Sequence, residues 1–215
     1  MKKEFKCIMP ANLGLLEQKL TTEEINYLWK CIENKKESYK HKLAGNIHES
    51  YILKDENDWF YQNTLIPLCN LYADQYKNVG KNIPGNNTHP YFLYNFWVNY
   101  QRENEFNPIH EHSGIYSFVI WMKIPTYHWD QNRNPISVNS NSPRISSFSF
   151  HYTNILGEIC EHVYEMSPEM EGTIVFFPSK LNHCVYPFFN CKEERISISG
   201  NIALNTDIKL ILNEI

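Results

Sequence analysis

No stretch of this chain approaches the ~20 consecutive apolar residues that a membrane-spanning helix needs. The opening Met1-Lys2-Lys3 imitates the charged head of a secretory signal, but Glu4, Lys6, Pro10 and Asn12 interrupt any apolar run behind it. Basic residues are not in excess: 20 Lys and Arg stand against 24 Asp and Glu, a formal net charge of −4. Binding duplex phosphates needs clustered cations, and the most basic stretch, residues 35–42, contains Glu37. Neither a nucleic-acid partner nor a membrane is therefore expected. Cys-x-x-Cys pairs are also absent, and Cys7, Cys31, Cys69, Cys160, Cys184 and Cys191 are scattered. In a chain this long they read as reduced thiols rather than a disulfide framework. No internal repeat is visible. Together these absences point to a cytoplasmic protein and leave a homodimer open.

What is present is a large supply of core-forming side chains. Aromatic residues make up 14 % of the 215 residues, enough for one domain over residues 1–215 built on one core. Residues 1–90 read as mainly helical. Thr21 or Thr22 suits a helix N-cap, with Glu23 and Glu24 in the first turn. Ile25, Leu28, Trp29 and Ile32 follow at helical spacing. A second helix is predicted over 58–77, with Trp59, Leu65, Leu68, Leu71 and Tyr72 on its buried face and Pro67 kinking or splitting it. Residues 81–90, with Pro84, Gly85, Asn86 and Asn87, form a turn-rich connector.

Beyond the connector the period changes from helical to alternating. Strands are predicted over 91–100, 115–124, 145–151, 159–164, 173–177, 184–187 and 195–203. Residues 126–144 show no period, and a connection that long inside a compact domain suits a lid or substrate loop. Helices followed by many short strands indicate an α+β fold whose core, residues 91–205, is a β-sandwich or jelly roll.

Two segments carry ligand chemistry. In Asn107-Pro108-Ile109-His110-Glu111-His112, an extended backbone aims His110 and His112 to one face, where two imidazoles can grip one metal ion. The second segment, residues 172–183, is a buried strand that ends in a proline turn followed by His183. Twelve residues later Arg195 opens an alternation in which Arg195 and Ser197 share a face opposite Ile196 and Ile198. A guanidinium inside a barrel is costly unless it meets an anion, and it suits bidentate grip of a carboxylate.

The strings "NFWVNYQ", "NPIHEHSG", "SFVIWMKIP", "FFPSKLNH" and "ERISISGNI", in this order from about residue 91 to 203, resemble the Fe(II)/2-oxoglutarate dioxygenases. They are most similar to the 2-oxoglutarate-Fe(II) oxygenases found in phage and environmental sequence, and "KLAGNI" at 42–47 adds to the likeness. The resemblance implies a double-stranded β-helix (jelly-roll, cupin-like) core with the N-terminal helices packed on it. It implies Fe(II), 2-oxoglutarate and O2 as cofactor and cosubstrates, and a hydroxylase acting on a small molecule or a protein side chain. By position, His110 and His183 fall on metal ligands, and Arg195 with Ser197 falls on the pair that holds the far carboxylate of 2-oxoglutarate. Tyr94, Asn99 and Tyr116 are candidate helpers of that pair.

The sequence departs from the family at one ligand. The usual site is two histidines and a carboxylate, with the carboxylate two residues after the first histidine, where this chain has His112. Glu111 should point to the opposite face. The expected site is His110, His112 and His183; a second registry would take His112 as first ligand with Gly114 at the carboxylate position. Two other functions compete: a three-histidine cupin-type dioxygenase that uses no 2-oxoglutarate and so has no need of Arg195, and a jelly-roll binding module without the chemistry. The substrate, and hydroxylation against another oxidation, stay open.

Overall fold

A computed structural model describes residues 6–7, 12–76, 91–142 and 144–205. Both connector residues 81–90 and the end of the second predicted helix lie outside the described residues. Helix α1, Thr22–Glu33, starts at Thr21, whose hydroxyl accepts from the Glu24 backbone while the Glu24 carboxylate accepts from the Thr21 backbone. This reciprocal cap satisfies two of the donors a helix start leaves open. The second helical segment divides near Pro67, as its sequence requires: a π-turn, Tyr61–Leu65, runs into helix α2, Ile66–Gln75. Proline lacks the N–H and crowds the carbonyl four residues back, and the wider π-turn absorbs both.

Among the described residues of 1–90, fewer are helical than the composition indicates. Two four-residue strands, β1 (Leu16–Lys19) and β2 (Glu49–Ile52), lie there. Their local signal is too short to read, and what makes them strands is an open sheet edge to pair with. Eight more strands follow: β3 (Tyr91–Gln101), β4 (Asn107–His110), β5 (Tyr116–Lys123), β6 (Ser147–Thr153), β7 (Ile159–Glu165), β8 (Thr173–Pro178), β9 (Asn182–Val185) and β10 (Arg195–Leu204).

They form two antiparallel sheets, β1-β8-β5-β10-β3-β2 and β4-β9-β6-β7. Taken in chain order, β3 to β10 wind back and forth between the sheets, which is the double-stranded β-helix, here with β1 and β2 added to the edges of the larger sheet. The class is α+β.

Both faces of the larger sheet are covered, which explains the unbroken apolar runs in β5 and β8. Phe118, Ile120, Met122, Ile174 and Phe176 face α1 and α2, in one core with Leu28, Leu65 and Tyr72. Their alternates Val119, Trp121, Val175 and Phe177 face the smaller sheet and meet Phe148, Phe150 and Tyr164. Each such fully buried large side chain contributes about 1.5–3 kcal/mol. No helix among the described residues is long and apolar enough to cross a membrane.

Candidate functional site

The inner face of the sandwich changes character along the sheet. Opposite β5 and β8 it is apolar. On β3 and β10 it carries Trp97, Asn99 and Gln101 facing Ser199, Ser197 and Arg195, which are their register partners in the ladder. Polar side chains inside a sandwich are the informative exception to burial of apolar ones, and here they line a cavity of about 130 Å³.

The three histidines meet at this cavity. His110, the last residue of β4, lies directly across the ladder from His183 in β9. His112 lies just beyond β4, and its backbone N–H donates to Ser179 O at 2.9 Å. Gly114 then turns the chain into β5 with φ +108°, where a Cβ would stand 2.7 Å from the Ile202 carbonyl oxygen. Ring centroids are 4.3 Å apart for His110–His183, 4.9 Å for His112–His183 and 5.0 Å for His110–His112. Their ligand nitrogens all lie within 4.8 Å of one another, and His112 Nε2 and His183 Nε2 are 3.1 Å apart. Two nitrogens bound to one metal at about 2.1 Å and at right angles would stand roughly 3.0 Å apart, so this separation fits adjacent ligands of one ion.

Hydrogen bonding presets two of the rings. His110 Nδ1 lies 2.7 Å from Pro108 O, and His183 Nδ1 lies 2.9 Å from Leu181 O. A carbonyl can only accept, so each Nδ1 carries the proton and each Nε2 keeps its lone pair. Desolvation also keeps the rings neutral. Burial lowers His110 below its ordinary value. Burial, with His110 and Lys180 adding repulsion, lowers His112 to about 4. His183, walled by Phe148, Phe150 and Phe177, is pushed well below the ordinary range by burial and then by the two neighbouring imidazoles. Glu111, the carboxylate nearest in sequence, is turned outward onto Lys180 Nζ at 2.6 Å. The donor set is three neutral nitrogens, which suits a divalent transition ion.

Arg195 lies 3 % exposed on the same cavity. Nη1 donates to Gln101 Oε1 at 3.3 Å, and Nη2 donates to Ser146 O at 3.2 Å and Ser146 Oγ at 2.6 Å. The guanidinium carbon sits 4.9 Å from the centre of the Phe188 ring. No salt bridge to Arg195 occurs among the described residues. Burial alone draws its pKa down to about 9, so it remains a cation at neutral pH. Its Nε, Trp97 Nε1, Asn99 Oδ1 and Asn107 Oδ1 are buried without partners among the described residues, and all four residues line the cavity.

Of the predicted site residues, His110, His112, His183, Arg195, Ser197 and Asn99 line this one cavity. Tyr94 and Tyr116 do not. Tyr94 is the extra residue of a β-bulge, skipped where Asn201 pairs Asn95 and Ile202 pairs Leu93, and it turns out 54 % exposed. Tyr116 shares the helix-facing side of β5 with Phe118 and packs on Tyr72, Tyr91 and Phe176. None of the described residues of 126–144 lines the cavity. They hold a short helix α3, His128–Gln131, whose Gln131 carboxamide exchanges two hydrogen bonds with the Phe189 backbone. The cover over the cavity comes instead from Tyr39, Lys42, Leu43, Ala44 and Ile47, a strap that Tyr39 anchors by stacking on Trp97 at 5.1 Å. Sequence reasoning missed Trp97 and Gln101, although their two-residue spacing from Asn99 was a readable signal. It also missed Ser146, for which no local signal exists.

Residues 95–201 match the family model described as "Putative 2OG-Fe(II) oxygenase". No curated protein matches the chain in sequence. An oxidoreductase of the 2OG-Fe(II) oxygenase family from Burkholderia pseudomallei superposes with TM-score 0.50 at 13 % identity, over 88 % of this chain and 85 % of that one. A prolyl-4-hydroxylase from Pseudomonas putida superposes with TM-score 0.50 at 17 % identity, over 90 % of this chain and 94 % of that one. At these identities the two likenesses speak for the fold.

Proposed function

Because this chain belongs to the 2OG-Fe(II) oxygenases through residues 95–201, we propose that His110, His112 and His183 hold its iron(II) and that Arg195 with Ser197 holds the far carboxylate of 2-oxoglutarate. The observation that carries this is a buried guanidinium with no carboxylate partner among the described residues, lining the same cavity as three neutral, convergent imidazoles. A buried unpaired cation is tolerated where a ligand supplies the missing anion.

Bound iron(II) and 2-oxoglutarate supply the chemistry, coupling decarboxylation to succinate with O2-dependent oxidation of a substrate. The chain supplies the geometry. Pro108 O and Leu181 O hold the Nδ1 protons of His110 and His183, so that Nε2 of each presents a lone pair. Trp121, Phe148 and Phe177 keep water from the inner wall. Arg195 would hold one end of the cosubstrate through its remaining donors, with Asn99 a further polar contact. A cavity of about 130 Å³ suits the cosubstrate, so the substrate, a small molecule or a protein side chain, meets the site beneath the strap of residues 39–47. The whole chain acts as one oxygenase domain in the cytoplasm, where its six free thiols stay reduced.

The test is succinate formation by anaerobically iron-loaded protein on admitting oxygen, without added substrate, beside His183→Ala. Iron binding and the absorbance change on adding 2-oxoglutarate are read in parallel. Succinate that requires iron, oxygen and His183 supports the assignment. Iron binding with neither succinate nor a 2-oxoglutarate absorbance change refutes it in favour of a three-histidine dioxygenase without this cosubstrate.

A further inference from the structure

Five residues other than glycine have positive φ among the described residues. Four of them, Asn57, Asp58, Asn104 and Asn190, are the residue types that tolerate it, and all are exposed. The fifth is Ser146, at φ 58° and fully buried. A serine held in the left-handed region in a packed interior is paid for by something it does there.

What it does is visible in its contacts. Ser146 precedes β6, and its backbone N–H donates to Pro187 O at 2.8 Å. Its carbonyl oxygen and its hydroxyl both accept from the same nitrogen, Arg195 Nη2, at 3.2 and 2.6 Å. Thr126 Oγ1 lies 3.3 Å from that hydroxyl. The left-handed backbone lets one residue aim two acceptors at one nitrogen. With Gln101 on Nη1 and the Phe188 ring against the guanidinium face, the plane of the group is fixed. A guanidinium has five N–H donors; the Nε–H is buried without a partner among the described residues.

We propose that Ser146 is a positioning residue for the cosubstrate: it orients the Arg195 guanidinium so that the remaining donors meet an incoming carboxylate. The inference rests on the assignment of Arg195 to 2-oxoglutarate. Ser146 touches the arginine but is not among the residues that line the cavity, so its effect passes through geometry.

Two substitutions separate this role from a structural one. Ser146→Ala removes the hydroxyl and keeps the strained backbone. Ser146→Gly removes the hydroxyl and the strain together, while the carbonyl contact stays available. The assay is anaerobic titration of the full-length iron(II)-loaded protein with 2-oxoglutarate, followed by absorbance, with 2-oxoadipate as a probe one carbon longer and thermal melts alongside. Both variants should bind 2-oxoglutarate roughly tenfold more weakly, the scale of one charge-assisted hydrogen bond. Both should also lose discrimination against 2-oxoadipate. Ser146→Gly should melt at or above the wild-type temperature while binding less well, a divergence that a purely structural residue does not produce. Wild-type 2-oxoglutarate binding in both variants, or binding that falls only in step with melting temperature, overturns the inference. Arg195→Ala is the control: if it too binds 2-oxoglutarate normally, the arginine assignment itself has failed.

Discussion

Replacing Arg195 with methionine should leave the metal-free protein nearly as stable as before and make it blind to 2-oxoglutarate. Burial draws the guanidinium from 12.5 to about 9. At about 1.4 kcal/mol for each pH unit, this corresponds to roughly 5 kcal/mol of desolvation. Three hydrogen bonds, to Gln101 and twice to Ser146, return roughly 1.5 kcal/mol each because the donor is charged. The buried arginine therefore comes close to breaking even, and an apolar side chain of similar length removes both sides of the balance. The melting temperature should move by only a few degrees, at roughly 2–4 °C per kcal/mol for a chain of this size. Ligand response is another matter. Cosubstrate at a hundred times its dissociation constant stabilises the native state by about 2.7 kcal/mol, a rise of roughly 5–11 °C. Melts of the manganese(II)-loaded protein with and without 2-oxoglutarate read both quantities. Wild type should show the rise and Arg195→Met should not. An equal rise in the variant would refute the assignment of this arginine, and a collapse of the unliganded variant would refute the energy balance.

Acid should destabilise the metal-free protein. His112 is held at about 4, and His110 and His183 also lie below 6.5, all chiefly by burial. The unfolded chain therefore binds more protons between pH 6.5 and 4, and stability present above 6.5 is lost as pH falls through that window. His112 alone should cost about 1 kcal/mol between pH 7 and 5.5, seen as a lower melting temperature. A flat profile would show that the rings are not desolvated. Gly114→Ala should cost on the order of 2 kcal/mol, because φ is +108° and the new Cβ would stand 2.7 Å from Ile202 O. It should also weaken metal binding in equilibrium dialysis, since His112 lies two residues before it; unchanged dialysis would uncouple the turn from the ligand. Gly45→Ala places a Cβ 2.4 Å from Asn107 Oδ1 and 2.6 Å from Phe106 O. It should lift the strap and speed proteolytic cleavage within residues 39–47, and an unchanged digestion rate would show that the strap is not held there.

Much of the site was legible in the sequence because strand chemistry has a period of two. Arg195 and Ser197 alternate with Ile196 and Ile198, and this alternation is what the ladder with β3 preserves. His110 and His183 were readable as ligand types, though not as partners across one ladder. The failures have physical causes. A bulge cannot be seen in one strand alone, so Tyr94 was expected at the site when it is the unpaired extra residue. Tyr116 was misjudged because β5 is apolar on both faces, and its composition does not say which face meets the helices. Length marks residues 126–144 as the cover, whereas the strap of residues 39–47 carries no such signal. The cover is instead a short segment that depends on one close approach, Gly45 against Asn107. Strands β1 and β2 have no pattern of their own and exist because β8 and β3 offer edges.

The position of β10 sets a timetable for the newborn protein. This strand lies between β3 and β5 in the middle of the larger sheet, and it brings Arg195 opposite Gln101, its ladder partner from far earlier in the chain. A ribosome that has released β3 and β5 has made two strands with a vacancy between them, and the gap persists until residue 204 emerges. Contacts that span so much chain form slowly, so the half-made sheet is exposed to misassociation until β10 joins it. Of the strands described, β10 is the last in the chain, so Arg195 reaches the cavity after the three histidines. A chain that has not yet produced β10 carries all three histidines and lacks the arginine proposed to grip 2-oxoglutarate, so the proposed metal site is assembled before the proposed cosubstrate site.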